Sequence, residues 1–235
     1  SMPLVGDVLD HWDRLLEDYD EVVYIPLSSG LSSSCETAMV LAQDDEYDGR
    51  VFVVNNQRIS IPMKLSCLEA KKLADEGKSG EQIRSYLEEH KFDSSIYIMV
   101  DTLKYLKRGG RVTPAAAAIG TLLRIKPILQ IQGEKLDKFA QARTLKQAKQ
   151  IMIDAIKTDI SDRFGDPEVK DTVIAIAHTD NQEEAEKFRN EILEFYPDRE
   201  ILIDPLSMVV ACHIGRGSLA VAVTKSIVKK LPDRA

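Results

Sequence analysis

The sequence predicts an α/β protein with two domains, and three observations support this prediction. Short apolar runs typical of buried strands alternate with segments of helical periodicity along the chain. In the first half, helices separate the strands, which favours a parallel sheet covered on both faces. In the second half, a hairpin followed by further helices and strands indicates a two-layer α/β sandwich. Gly109-Gly110 is the best candidate boundary, so we expect domains at 1–110 and 111–235.

The elements of the first domain follow from apolar spacing and capping residues. Residues 4–19 carry apolar side chains at helical spacing and are predicted as an amphipathic helix. Ser79 precedes Gln82 by three residues, the spacing of a capping box, so a helix is expected to begin there. The other predicted helices are 35–42 and 62–76, and the predicted strands are 22–27, 50–54 and 96–100.

The second domain is predicted from turn and cap signals. Gly133-Glu134 separates two apolar runs, 128–132 and 135–141, as expected for a hairpin. Thr144 is the predicted N-cap of a long helix, and Thr113 caps an alanine-rich helix that starts at Pro114. The remaining elements are a helix at 183–195 and strands at 173–177, 200–203 and 219–223.

Composition excludes several classes of function. With a net charge of -7 over 235 residues, the chain offers no broad cationic face for nucleic acid. No apolar run approaches the ~20 residues of a membrane span, and no signal peptide is recognisable. The three cysteines, Cys35, Cys67 and Cys212, are too dispersed to bind a metal, and we expect reduced, buried thiols in a cytoplasmic protein without cofactor or metal.

The chain is organised around a serine-rich turn that follows the first predicted strand. Ser28, Ser29 and Ser32 surround Gly30 where this strand passes into a helix, and we call residues 27–34 the serine loop. In an α/β sheet this is the carboxyl end of a strand, where ligands usually bind. Free N–H groups, the helix dipole and several hydroxyls favour an anion, either a carboxylate or a phosphate. The structural alternative is that Ser32 or Ser33 only caps the helix.

Four stretches of the sequence stand out as motifs when they are taken in order. The serine loop is the first, and the second runs from Leu103 through Gly109-Gly110-Arg111 to Ile119–Pro127. Arg143-Thr144 is the third, and the fourth is His213-Ile214-Gly215-Arg216-Gly217. Together these stretches resemble the DegV family of bacterial fatty acid-binding proteins, in which the fourth reads His-x-Gly-Pro-Gly. The order and spacing of the stretches carry the resemblance more than any one of them does.

The resemblance implies a non-catalytic protein that binds a long-chain fatty acid between its two domains. Hydroxyls of the serine loop and a histidine would hold the carboxylate, and the acyl tail would occupy an apolar tunnel. The ligand-binding residues implied are Ser28, Ser29, Ser32, His213 and Gly215. In such proteins a partner kinase phosphorylates the bound acid, which makes Arg111 and Arg143 candidate partner-binding residues, with at most transient contact with a membrane surface.

This sequence departs from the family pattern at three places. Arg216 replaces the family's proline, and Asn55-Asn56-Gln57 replaces an aspartate and a serine near the site. The chain also starts at Ser1-Met2-Pro3, which resembles the end of a Thr-Ser-Gln-Pro motif. We therefore expect a fragment that lacks the family's N-terminal segment; the alternative is that Ser1-Met2 is a cloning remnant.

Other uses of the same residues stay open at the level of sequence. One alternative is an acyl hydrolase that uses a serine, His213 and an acid such as Asp101 or Asp204. The Gly-x-Ser-x-Gly nucleophile elbow of many such enzymes is absent from the sequence. A phosphate-ligand binder would use the same helix N-terminus, but no glycine-rich phosphate loop with a lysine is present. The cationic zone at 102–133, which contains no acidic residue, suits a kinase or an acidic membrane surface.

Overall fold

In the computed structural model, residues 2–118 and 125–229 are described, and the chain divides into two compact units. The first unit comprises Ser1–Ile59 and Met63–Phe92, and the second comprises Ser60–Pro62 and Asp93–Ala235. The main division therefore follows Phe92, whereas the sequence suggested Gly109-Gly110. Residues 119–124, which belong to the second of the four stretches described above, lie outside the described residues.

The first unit contains a short parallel sheet with helices. Its elements are α1 (Val5–Leu16), β1 (Val22–Tyr24), α2 (Ser34–Leu41), β2 (Val51–Val53), α4 (Gly80–Glu89) and all of α3 (Ser60–Asp75) except its first turn, Ser60–Pro62. Strands β1 and β2 are parallel, with Val22 opposite Val51 and Tyr24 opposite Val53. Both strands therefore end at the same edge of the sheet, where the serine loop begins.

Local signals in the first unit act as the sequence predicts. Ser79 forms the capping box with Gln82 at the start of α4, with both reciprocal hydrogen bonds present. Trp12 of α1 is fully buried, and its ring meets the Tyr24 and Tyr47 rings edge-on at centroid distances of 5.4 and 5.3 Å. These aromatic contacts fix α1 against the strand that leads into the serine loop.

The second unit is built on a six-stranded mixed sheet in the order β5-β4-β3-β8-β6-β7. Only β6 and β7 are parallel within it; the other neighbours are antiparallel. The strands are β3 (Ser94–Met99), β4 (Lys126–Ile131), β5 (Asp137–Ala142), β6 (Thr172–His178), β7 (Leu202–Pro205) and β8 (Leu219–Lys225). The helices are α5 (Lys104–Gly109), α6 (Pro114–Ala117), α7 (Leu145–Thr158), α8 (Gln182–Leu193) and α9 (Met208–Ile214).

The main core of the second unit lies between one face of this sheet and helices α7 and α8. Met152 and Ile156 of α7 and Phe188 of α8 are buried there against Ile176 and Val221 of the sheet. Thr144 caps α7 by accepting a hydrogen bond from the Gln147 N–H at 3.1 Å, as predicted. The predicted hairpin is also confirmed, with β4 and β5 antiparallel and a register shift between Ile128 and Leu129.

One expectation about strand pairing and one about burial are wrong. The strand predicted at 96–100 does not belong to the parallel sheet of the first half; as β3 it lies within the mixed sheet, with antiparallel neighbours on both sides. An apolar run shows that a strand is buried but not which strands pair with it. The cysteines are all free thiols, but only Cys35 is buried, because Cys67 and Cys212 lie on exposed faces of α3 and α9.

Within the described ranges, no helix is long and apolar enough to cross a membrane. The same residues contain no group of histidine, cysteine and acidic side chains that would suit a metal ion.

Candidate functional site

The serine loop of the first unit is a tight turn that its own backbone holds closed. The carbonyl of Ser28 accepts hydrogen bonds from the N–H groups of Leu31 and Ser32, at 2.9 and 3.1 Å. The Ser28 N–H donates in turn to the carbonyl of Arg58, at 3.1 Å, in the loop that follows β2. The two loops at the carboxyl edge of the parallel sheet are therefore joined, with Ser28 fully buried at the junction.

The two serines named in the capping alternative have different hydrogen bonds at the start of α2. Ser33 occupies the N-cap position of α2, but its hydroxyl accepts no hydrogen bond from the helix backbone. Ser32 accepts from the Ser34 N–H at 3.2 Å, and its hydroxyl lies 2.7 Å from the Ser34 hydroxyl. Ser32 thus has local structural partners, and its predicted role in ligand binding stays a prediction.

Ser29 is different, because its hydroxyl oxygen is buried and has no hydrogen-bond partner among the described residues. Leaving a buried hydroxyl without a partner costs roughly 1–3 kcal/mol in a folded protein. A ligand or an ordered water that supplies the missing hydrogen bond is one explanation for such a group. The turn therefore places an unused donor and acceptor where the sequence predicts an anion.

In the second unit, His213 lies in the last turn of α9, packed against the backbone of Gly109 at the end of α5. A Cβ added at Gly109 would lie 3.0 Å from the His213 Nδ1 atom, so a side chain there would press on the imidazole. Burial, followed by the charge of Arg111, lowers the pKa of His213 below its ordinary value. The neutral ring keeps one N–H donor.

The glycine loop after α9 is anchored to the end of β6 by a threonine that the sequence analysis missed. Thr179 is buried, and its hydroxyl donates to the Gly215 carbonyl at 2.5 Å and accepts from the Ser218 N–H at 3.0 Å. Its carbonyl accepts the Gly217 N–H at 2.8 Å. Gly215 has a φ of +89°, and a Cβ there would lie 2.9 Å from the Tyr105 ring. No motif in the sequence singles out Thr179, because it simply follows a strand.

The arginines that the sequence analysis singled out have different surroundings. Arg216 is directed into solvent, with 88% of its side chain exposed, and pairs with Asp180. Arg111 donates a hydrogen bond to the Gly109 carbonyl, whereas Arg143 is exposed beside the N-cap of α7. Within the predicted cationic zone, Lys126 is neutralised by Asp101 at 2.5 Å.

The remaining histidines have structural or surface roles. His178 is buried at the end of β6, where its Nδ1 accepts the Asn181 N–H at 3.1 Å and its Nε2 lies 2.7 Å from the Gln182 side-chain oxygen. Both ring nitrogens are thereby used. His11 is exposed and hydrogen-bonded to Arg14, and the His90 ring lies 4.5 Å from the Tyr86 ring.

Comparison with known proteins gives one family. The model of the DegV family, whose members are described as uncharacterised proteins, matches residues 1–226. Protein DegV of Bacillus subtilis is 33% identical over 223 residues, which cover 94% of this chain and 76% of that protein. A DegV domain-containing protein of Clostridium perfringens is 33% identical over 219 residues, covering 88% of this chain and 73% of the relative.

Solved structures agree with this match. A DegV family protein from Thermus thermophilus, whose structure is described as fatty acid binding, superposes with a TM-score of 0.85 at 30% identity over 96% of this chain and 78% of that one. DegV from Bacillus subtilis, described as a fatty acid binding protein, gives a TM-score of 0.81 at 30% identity, with 95% and 77% of the two chains covered.

Proposed function

This chain belongs to the DegV family, and on that premise we propose that it binds a long-chain fatty acid, with the Ser29 hydroxyl donating a hydrogen bond to the carboxylate. The observation that carries the proposal is the buried Ser29 oxygen without a partner among the described residues. A carboxylate only accepts hydrogen bonds, so a hydroxyl that donates to it gains a strong, charge-assisted contact. The free-energy cost of burying the Ser29 hydroxyl without a hydrogen bond is thus offset only when the ligand is bound.

The other residues of the serine loop shape this contact. Ser28 closes the turn through its backbone, and Ser32 orders the entry into α2, so the Ser29 side chain is presented on a fixed backbone. We include both as ligand-binding residues because the family resemblance implies it. A rigid loop reduces the ordering that binding requires, which increases affinity without additional contacts.

His213 and Gly215 are proposed as the second part of the carboxylate site, and this part rests on the family resemblance. The observations that support it lie within the second unit. The lowered pKa leaves the His213 ring neutral with one N–H to donate, and Thr179 fixes the backbone at Gly215. Because the neutral His213 imidazole already carries one N–H, it can donate to an anion throughout the physiological pH range without gaining a proton.

The acyl tail is proposed to supply most of the affinity. Each CH₂ group that leaves water contributes ~0.8 kcal/mol, so a long chain outweighs the polar contacts, which set orientation. The polar contacts are nevertheless required, because a buried carboxylate without partners is strongly unfavourable. We further propose that the bound acid is presented to a kinase, with Arg111 and the exposed Arg143 as the candidate contacts.

The test compares an acid with its neutral ester. Protein stripped of lipid is titrated calorimetrically with oleic acid and with methyl oleate, both supplied on a cyclodextrin carrier. We expect stoichiometric binding of the acid and an affinity for the ester that is lower by about tenfold or more, because the ester has no charge for the donors. Equal affinities would mean that the site does not recognise the carboxylate, and absence of binding would refute the proposal.

A further inference from the structure

A second loop at the carboxyl edge of the parallel sheet contains buried polar atoms that the site described above does not use. We call residues 54–59, between β2 and α3, the amide loop. Its backbone continues the pairing of the two strands, since the Val54 N–H donates to the Tyr24 carbonyl at 2.9 Å. Four residues later, the Arg58 carbonyl accepts the Ser28 N–H. The amide loop is therefore the immediate neighbour of the serine loop.

Asn56 is the central residue of this loop. It has no exposed surface, and its side-chain oxygen accepts the Arg58 N–H at 3.3 Å. This contact orients the amide, because a backbone N–H requires the oxygen and not the nitrogen of the carboxamide. The Nδ2 group is then directed away from Arg58, and it has no hydrogen-bond partner within the described parts of the chain.

The amide loop is held in place by a buried arginine. The Arg58 guanidinium donates to the Ser66 hydroxyl at 3.1 Å and to the His90 carbonyl at 2.6 Å, and it lies 3.6 Å from the Glu69 carboxylate. Gln57 adopts a φ of +56°, which is uncommon for a residue other than glycine. Buried anchors of this kind stabilise a backbone conformation that would otherwise be unfavourable.

We propose that Asn56 Nδ2 is a second donor to the fatty acid carboxylate, next to Ser29, and that it makes the site selective for an anionic end group over a neutral one. The inference rests on the proposed function. Ser29 Oγ and Asn56 Nδ2, two buried donors without a hydrogen-bond partner in the described parts of the chain, belong to residues within two positions of the hydrogen bond that joins Ser28 to Arg58. A carboxylate offers two oxygens that only accept, so two neutral donors from adjacent loops suit it.

Asn56→Asp is the decisive variant because it replaces the Nδ2 donor by an acceptor at nearly unchanged size, and the negative charge that it adds is matched in the control below. Aspartate has the size of asparagine and retains an oxygen for the Arg58 N–H, but an acceptor replaces Nδ2. We expect oleic acid to bind about tenfold more weakly or worse, whereas oleyl alcohol, whose hydroxyl can donate, binds with unchanged or higher affinity. The preference for acid over alcohol should therefore collapse in calorimetric titrations of both ligands.

Asn55→Asp is the matched control. It adds the same charge one position earlier, where the buried atom without a partner in the described chain is the side-chain oxygen, which aspartate retains. We expect its acid-to-alcohol ratio to stay within about threefold of the unmodified protein. An equal loss of both ligands in Asn56→Asp, or the same change of ratio in Asn55→Asp, would overturn the proposal.

Nuclear magnetic resonance of the unmodified protein supplies a test that does not depend on any variant folding. On titration with oleic acid, the side-chain amide protons of Asn56 should shift downfield as they enter a hydrogen bond to a carboxylate. Bound oleic acid with unshifted Asn56 amide protons would contradict this inference alone. If oleic acid does not bind at all, the proposed function fails and this inference fails with it.

Discussion

Replacing Ser29 by alanine should have opposite effects on the stability of the empty protein and on ligand affinity. The Ser29 hydroxyl is buried without a partner in the described residues, and such a group costs roughly 1–3 kcal/mol. Ser29→Ala removes that cost, so we expect the empty protein to gain ~1 kcal/mol in free energy of unfolding. For a chain of this length this corresponds to a rise in Tm of roughly 2–4 °C.

The same substitution should weaken fatty acid binding. A hydrogen bond to a charged group contributes roughly 1.5–3 kcal/mol, so we expect the Kd for oleic acid to rise by about tenfold or more. Saturating oleate should therefore raise the Tm of the variant less than that of the unmodified protein. Thermal unfolding followed by circular dichroism, with and without oleate, measures both effects.

Ser33→Ala is the control, since Ser33 is exposed and its hydroxyl makes no cap hydrogen bond to α2. Neither Tm nor affinity should change measurably in this variant. A Ser29→Ala protein that is less stable than the unmodified protein when empty would refute the reasoning, because it would show that the hydroxyl is already satisfied without ligand.

Three further predictions concern stability and reactivity. Thr144→Ala should lower the free energy of unfolding by ~1 kcal/mol through loss of the α7 cap, and Thr144→Ser should restore it in urea titrations. Burial alone would raise the pKa of Asp166, but hydrogen bonds led by the Asp171 N–H outweigh burial and lower it. Asp166 therefore stabilises the fold above about pH 4, and this contribution is lost as the pH falls. Asp166→Asn should be less stable at neutral pH by roughly 1–3 kcal/mol, with the difference disappearing in acid. Burial is the largest of the causes that raise the pKa of Cys35 to about 11, and the charges of Glu88 and Glu36 add to it. Iodoacetamide should therefore modify the exposed Cys212 in the native protein and Cys35 only after unfolding. Peptide mass spectrometry identifies the modified cysteines.

Much of the fold could be predicted because its signals are local. The capping box at Ser79, the cap at Thr144 and the hairpin around Gly133 each depend on a few neighbouring residues, and the structure confirms all three. The predicted strand at 22–27 is too long, since pairing ends at Tyr24, two residues before Pro26, which cannot donate a hydrogen bond to the ladder. Local chemistry thus fixes where elements begin and end.

Non-local pairing could not be read in the same way. The run at 96–100 correctly indicated a strand, but its position between β4 and β8 depends on residues more than 20 positions away. The exposure of Cys67 and Cys212 likewise depends on which helix face packs inward, and an apolar sequence context does not determine this.

The candidate site shows the same limit. The serine loop was recognised from its position after a strand, but only the structure separates Ser29, without a partner among the described residues, from Ser32, which has local hydrogen bonds. In the sequence Asn56 is only a departure from the family pattern, and nothing there shows that its amide is buried. Thr179 was missed because a threonine at the end of a strand is common.

The central claim is that this chain binds a long-chain fatty acid, and the most direct measurement is mass spectrometry of the organic extract from the purified protein. We predict about one equivalent of a long-chain fatty acid from the unmodified protein and a reduced amount from Ser29→Ala. A control extract from an unrelated protein purified in parallel sets the background. Fatty acid at background level in the unmodified protein, together with no uptake of added oleic acid, would contradict the account.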